Sequence, residues 1–218
     1  MNPWFKTKVT TLSTRGIPTL IMNTRNTIRH EMRNKRRALT DAECETNSIE
    51  LANRLLHTRF FRHSRHIALY IANDGEIDPL YITEAAWQSS IQTYLPVLGL
   101  RGMNRLWFLP FTETSTFTTN RFGIAEPVHR RKQRLLKPQR LDLVLMPLVA
   151  FDKQGNRLGM GGGFYDRTLA FLHARHSWRK PRLIGLAHEF QQVPQLPAAT
   201  WDVPLDAVIT EQRVYTFS

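Results

Sequence analysis

Six short apolar runs set the limits on what this chain can fold into: His66 to Ala72 (HIALYIA), Thr93 to Leu98, Leu106 to Phe111, Leu141 to Met146 (LDLVLM), Leu183 to Ala187 and Ala207 to Thr210. Each is too short for an ordinary helix, and turn residues or proline bound several of them. Continuous apolar runs of this length suit strands buried on both faces. The stretches between them carry a helical period. From Thr24 onward, Arg25, Arg29, Arg33 and Arg37 recur every four residues and share one face, while Ile28, Met32 and Leu39 lie toward another. Thr40-Asp41-Ala42-Glu43 reads as a capping box opening a second helix, whose buried stripe is Ile49, Ala52, Leu55 and Leu56. Asp78-Pro79 opens a third, with Asp as N-cap and Pro at the first position. A further helix is expected from about Tyr165 to His176, and Arg121 to Pro127 is expected as a loop. Strands alternating with helices predict an α/β fold with a mostly parallel sheet covered on both faces.

The 218 residues suit a single domain, assigned to 22–218. Residues 1–21 read as foreign to it. They hold no acidic residue and little periodicity, and Met22 stands just before the helical pattern. That segment is expected to be disordered, or to reflect the choice of start site. No apolar run reaches the length of a membrane helix, and no signal-peptide core forms. Cys44 is the one cysteine, which excludes an intramolecular disulfide framework and a multi-cysteine metal site. A cytoplasmic monomer without membrane contact is expected.

The formal net charge of +12 has two readings. It attracts nucleic acid nonspecifically, or it serves a polyanionic small molecule. The arginine stripe contains no interleaved aromatic for base stacking, so no nucleic-acid partner is expected.

Five of the eleven glycines fall within nine residues, Gly155-Asn156-Arg157-Leu158-Gly159-Met160-Gly161-Gly162-Gly163, and Phe164-Tyr165-Asp166 leads on into a helix. Glycines let the backbone approach a ligand closely, and free N–H groups there attract anions. Arg157 adds a charge-assisted contact to phosphate. No Lys-Ser/Thr follows the last glycine, so this is not a Walker A loop. Phe164 stands where a dinucleotide fingerprint has its third glycine.

The segment LVLMPLVAFDKQGNRLGMGGGFYDRTL, Leu143 to Leu169, resembles the 5-formyltetrahydrofolate cyclo-ligases, also called methenyltetrahydrofolate synthetases. Ile28-Arg29, GEID at Gly75 to Asp78, FGIAEP at Phe122 to Pro127 and WDVPLDAVITE at Trp201 to Glu211 stand around it in the family's order. The resemblance covers about Thr24 to Glu211. It implies a Rossmann-like sheet related to sugar-phosphate isomerase and CoA-transferase folds. It also implies a reaction, the conversion of 5-formyltetrahydrofolate to 5,10-methenyltetrahydrofolate with hydrolysis of ATP and help from Mg²⁺.

The resemblance further implies roles for residues. Arg25 and Arg29 contact the nucleotide, as do Arg157, Leu158, Gly159, Met160, Gly161, Gly162, Gly163, Phe164 and Tyr165, with Arg157 catalytic. Glu76 binds folate, bordered by Ile71 and by Met160 to Phe164. Asp166 and Asp206 hold magnesium, with Asp202 in support. Glu126 and Trp107 are weaker folate candidates. The sequence departs from the family at Arg25 and Gly162, where many members carry lysine, and Arg167 is a candidate replacement for the cation missing at Gly162. Histidine pairs His63/His66 and His173/His176, and Cys44, are assigned no chemistry. The basic cluster His129 to Arg134 is read as a solvated face, or as a recruiter of acidic polyglutamyl tails. Two other readings stay open: a sugar-phosphate isomerase on a similar sheet, and a basic nucleic-acid-binding module.

Overall fold

The computed structural model describes residues 24–99, 104–128, 135–174 and 180–217. The segment 1–21, the cluster His129–Arg134 and His176 lie outside the described residues.

Helix α1 (Arg25–Arg37) starts where the Thr24 hydroxyl accepts the Thr27 N–H. Helix α2 (Asp41–Leu56) starts at the expected capping box, with the Glu43 carboxylate accepting the Thr40 N–H at 2.8 Å. A single turn, α3 (Arg59–Arg62), feeds strand β1 (His66–Ala68). Helix α4 (Leu80–Gln88) begins one residue later than the sequence pattern suggests. Pro79 is its cap, and the Asp78 carboxylate accepts the Leu80 N–H at 3.0 Å. Strands β2 (Gln92–Leu98) and β3 (Leu106–Phe111) follow. The expected loop at Arg121–Pro127 is instead the turn and return strand of a hairpin, β4 (Phe117–Thr119) with β5 (Ala125–Pro127). Next come β6 (Leu143–Pro147) and a second hairpin, β7 (Ala150–Phe151) with β8 (Arg157–Leu158). Helix α5 (Phe164–Leu169) is shorter than expected and passes into a 3₁₀ segment at Ala170–Ala174. Strands β9 (Arg182–Leu186), β10 (Ala207–Ile209) and β11 (Val214–Thr216) complete the fold.

Seven strands form one sheet in the order β11-β10-β9-β6-β1-β2-β3. The five inner strands are parallel, and both edge strands run antiparallel to their neighbours. The direction of β3 escaped notice because a short apolar run carries none, and β11 was not expected at all, being a three-residue strand that is largely exposed. Alternation along β6 divides the core. Leu143 and Leu145 pack under α2 and α4, with Leu51, Leu55 and Ile82. Val144 and Met146 face the other way, against Leu169 of α5, Phe151 and Val208. Helix α1 sits on the β7–β8 hairpin through Ile28 and Met32, against Ala150 and Leu158.

Gly185 of β9 has no room for a side chain. A Cβ there would stand 2.5 Å from Leu148 Cδ2 and 2.9 Å from Leu205 Cδ1. Gly185→Ala should therefore destabilise the fold by about 1–3 kcal/mol through overpacking, read as a lower urea midpoint at unchanged slope.

Candidate active site

The chain leaves β1 toward β2 and β3 on one side, and returns to build β6, β9 and β10 on the other. That reversal opens a crevice beyond the C-terminal ends of β1 and β6, where ligands bind in open α/β sheets. A cavity of about 900 Å³ lies there, lined by Tyr70 and Ile71 after β1 and by Pro147 and Leu148 at the end of β6.

One end of the cavity is cationic. Arg25 and Arg29 reach it from α1, Arg157 from β8 and Arg167 from α5. Arg29 Nε donates to Gly159 O at 2.8 Å, which ties α1 to the glycine loop. The glycine run divides in two. Gly155 (φ +82°) belongs to the β7–β8 turn, where a Cβ would meet the Phe217 ring at 2.8 Å. Gly161 (φ +102°) and Gly163 (φ +61°) belong to the cavity wall and take backbone conformations that other residues adopt at a cost. A side chain at Gly162 would press on the Phe164 ring at 2.8 Å, and Arg167 donates to the Gly162 carbonyl.

Arg157 is buried, and its Nη2 donates to Asp166 Oδ1 at 2.5 Å. Burial lowers the basicity of this guanidinium, and Asp166 opposes that shift. Its Nε has no hydrogen-bond partner among the described residues. Asp166 also accepts the Val203 N–H at 3.2 Å through Oδ1, and its Oδ2 carries no bond among those residues. Asp202 lines the same cavity, paired with Arg25.

Asp206 is not brought there. It stands at the start of β10, at the far end of the parallel strands. Its carboxylate accepts Leu183 N–H at 2.8 Å and pairs with Arg182 at 2.6 Å. The carboxylate beside Asp166 in the cavity is Asp202.

The other end is formed by the turn Asn73 to Glu76. Glu76 Oε2 accepts the Asn73 N–H at 3.2 Å, and Oε1 faces Arg36 Nη1 at 3.4 Å. Burial raises the Glu76 carboxyl to about 7, against the opposing pull of Arg36. Ile71, Leu95, Pro96 and Ile124 give the cavity apolar walls suited to a flat ring, and Phe122 packs edge-on against Phe164 at 5.7 Å. Glu126 lines the cavity too, with Oε2 accepting Leu98 N–H at 3.3 Å. Trp107 does not line it.

Arg33 and Arg37 do not form a free solvated face. Together with Arg36 they converge on Asp74. Burial would raise the Asp74 carboxyl, yet the three guanidinium hydrogen bonds hold it at about 2. Sequence reasoning missed Arg36, although a signal was present: the four-residue step that buries Ile28 and Met32 continues to Arg36. It read Phe122 and Trp201 only as parts of family motifs. Both rings are exposed at the cavity.

Burial and the neighbouring Asp41 and Glu43 raise the Cys44 thiol, which disfavours a nucleophilic thiolate. His66 Nδ1 stands 3.0 Å from the Tyr94 hydroxyl, and His173 lies at the cavity edge. No group of three metal-ligating side chains occurs among the described residues, and no described helix is long and apolar enough to cross a membrane.

Fold and cavity define an α/β enzyme in which a glycine loop, a set of arginines and the largely buried Glu76 carboxyl line one crevice. The pattern of the 5-formyltetrahydrofolate cyclo-ligase family matches residues 21–211, and the chain belongs to that family. The 5-formyltetrahydrofolate cyclo-ligase of Haemophilus influenzae is 41% identical over 188 residues, covering 84% of this chain and 97% of that protein. The Escherichia coli enzyme of the same name is 38% identical over 186 residues, covering 84% and 98%. The solved structure of Aquifex aeolicus 5,10-methenyltetrahydrofolate synthetase superposes with a TM-score of 0.73 at 30% identity, covering 88% and 92%. Family membership decides between the two enzyme readings, in favour of the cyclo-ligase over the phosphosugar isomerase.

Proposed function

We propose that the protein converts 5-formyltetrahydrofolate to 5,10-methenyltetrahydrofolate at the expense of Mg·ATP, releasing ADP and phosphate. The observation that carries this reading is the single cavity with two unlike ends. Arg25, Arg29 and Arg157 with the glycine loop suit a polyphosphate, and the Glu76 slot with its apolar walls suits a pterin.

Oriented across the cavity, the formyl oxygen takes the terminal phosphoryl group from ATP, and ADP is released. The neighbouring folate nitrogen then attacks the one-carbon unit, the ring closes, and phosphate leaves with the oxygen. Glu76 accepts N–H groups of the substrate and fixes the formylated end. The arginines hold the phosphates in line and stabilise charge on the transferring group.

Asp166 and Asp202 fit a magnesium site. Each lines the cationic end and keeps one carboxylate oxygen unbonded among the described residues, and Mg²⁺ takes one or two carboxylates with phosphate oxygens and waters. Magnesium would neutralise phosphate charge there. The expected setting for such an enzyme is the cytoplasm, acting as a monomer.

The test is near-ultraviolet absorbance of the methenyl product. A rise is expected only with enzyme, folate and Mg·ATP together, and excess EDTA should abolish it. No rise from well-folded protein would overturn the reading.

A further inference from the structure

We propose that Arg36 is a positioning residue for the carboxylate end of the cavity: its buried guanidinium holds Glu76 in place and favours its ionised form. The inference rests on the function proposed above only in naming the ligand that Glu76 meets.

Arg36 ends the buried stripe of α1, and its side chain is fully withdrawn from solvent. Nη2 donates to Asp74 Oδ2 at 3.0 Å, and Nη1 lies 3.4 Å from Glu76 Oε1 and 3.5 Å from Leu148 O. Nε has no partner among the described residues. A buried cation this incompletely satisfied is a poor way to stabilise a fold. An apolar side chain such as that of Met32, one turn earlier, is often as good or better.

Nor does Asp74 require it. Arg33 and Arg37 already bind that carboxylate at 2.7 and 2.5 Å. What Arg36 alone provides is the one ion pair that Glu76 makes among the described residues. The other groups set against Glu76 are Asp74 on its own turn, Tyr70 beyond β1 and Tyr165 of α5, none of them cationic.

The turn also lies hard on α1. Gly75 (φ +73°) would place a Cβ 3.0 Å from the Arg36 carbonyl, and the His188 ring reaches the Gly75 carbonyl at 3.1 Å. Burial holds His188 neutral, at about 4, so its Nε2 donates to that carbonyl at neutral pH. The turn that carries Glu76 is thereby tied down at Gly75, and Arg36 supplies the charge.

The experiment is a ¹³C NMR titration of the glutamate carboxyls in ligand-free protein, with Glu76→Gln identifying the resonance. In Arg36→Met the Glu76 midpoint should rise by about 1–3 pH units, the usual effect of losing an opposite charge at this range. Arg36→Lys should restore most of the shift. At pH 7 the KM for 5-formyltetrahydrofolate should rise in Arg36→Met with the KM for ATP unchanged. Arg36→Gln, neutral yet able to bond the Leu148 carbonyl, gives the same readout should the methionine variant not fold. An unmoved Glu76 midpoint in the neutral variants would overturn the proposal. So would a joint rise of both KM values without that shift, the mark of a merely structural role. Because the titration uses no substrate, a failure of the proposed reaction would leave it readable.

Discussion

Exchanging Glu76 for glutamine is expected to give a protein that is more stable above pH 7 and a much weaker enzyme. Burial lifts this carboxyl from 4.5 to about 7, so the folded state holds the proton more tightly than the unfolded chain does. Stability is then full below pH 4.5 and declines as the pH rises through 7, by roughly 3 kcal/mol at most. Glutamine carries no charge and escapes that decline. The gain should be visible in urea unfolding at pH 8 and absent at pH 4. It will fall short of the maximum, because Arg36 loses its partner. Catalysis should move the other way. A hydrogen bond from substrate to a charged carboxylate is worth about 1.5–3 kcal/mol, so kcat/KM for the folate should fall roughly 10- to 150-fold. A variant with full kcat/KM and no pH-dependent gain would make Glu76 an ordinary turn residue.

The second large effect concerns Arg157. Replacing it with methionine leaves the Asp166 carboxylate without its ion-pair partner in a mostly buried setting, which should cost about 3–5 kcal/mol. It also removes a cation from the phosphate end. The two losses can be separated. Arg157→Met combined with Asp166→Asn should recover much of the stability, since the uncompensated charge is gone, while turnover stays low. Thermal unfolding and the absorbance assay on the single and double variants read the two effects independently. Recovery of turnover together with stability would show that the pair only supports the fold.

Much of this was legible in the sequence, and the reasons differ from place to place. The parallel inner strands announced themselves because burial on both faces requires unbroken apolar runs, as in Leu143 to Met146. The Thr40–Glu43 cap was readable because it is chemistry between residues three apart. The two small hairpins were not. Strands of two or three residues leave no period, and the glycine that turns one of them, Gly155, looked like part of the anion loop. Asp206 carries a motif but sits at the wrong end of its strand for the cavity, a matter of topology that spacing does not encode. The pairing of Arg33 and Arg37 with Asp74 was hidden because that residue lies about forty positions away in sequence. Arg36 was overlooked because a charged residue is almost never fully buried unless paired, and its partners are equally remote.

The convergence of Arg33, Arg36 and Arg37 on Asp74 constrains how such a site can drift over evolutionary time. A simple ion pair can be inverted by two reciprocal exchanges, each tolerable while the other is awaited. One carboxylate shared by three guanidiniums has no such route. Reversing its sign would set four cations together, and no single second change could relieve them. Position 74 is thus locked by its arrangement, and the turn that carries Glu76 is locked with it.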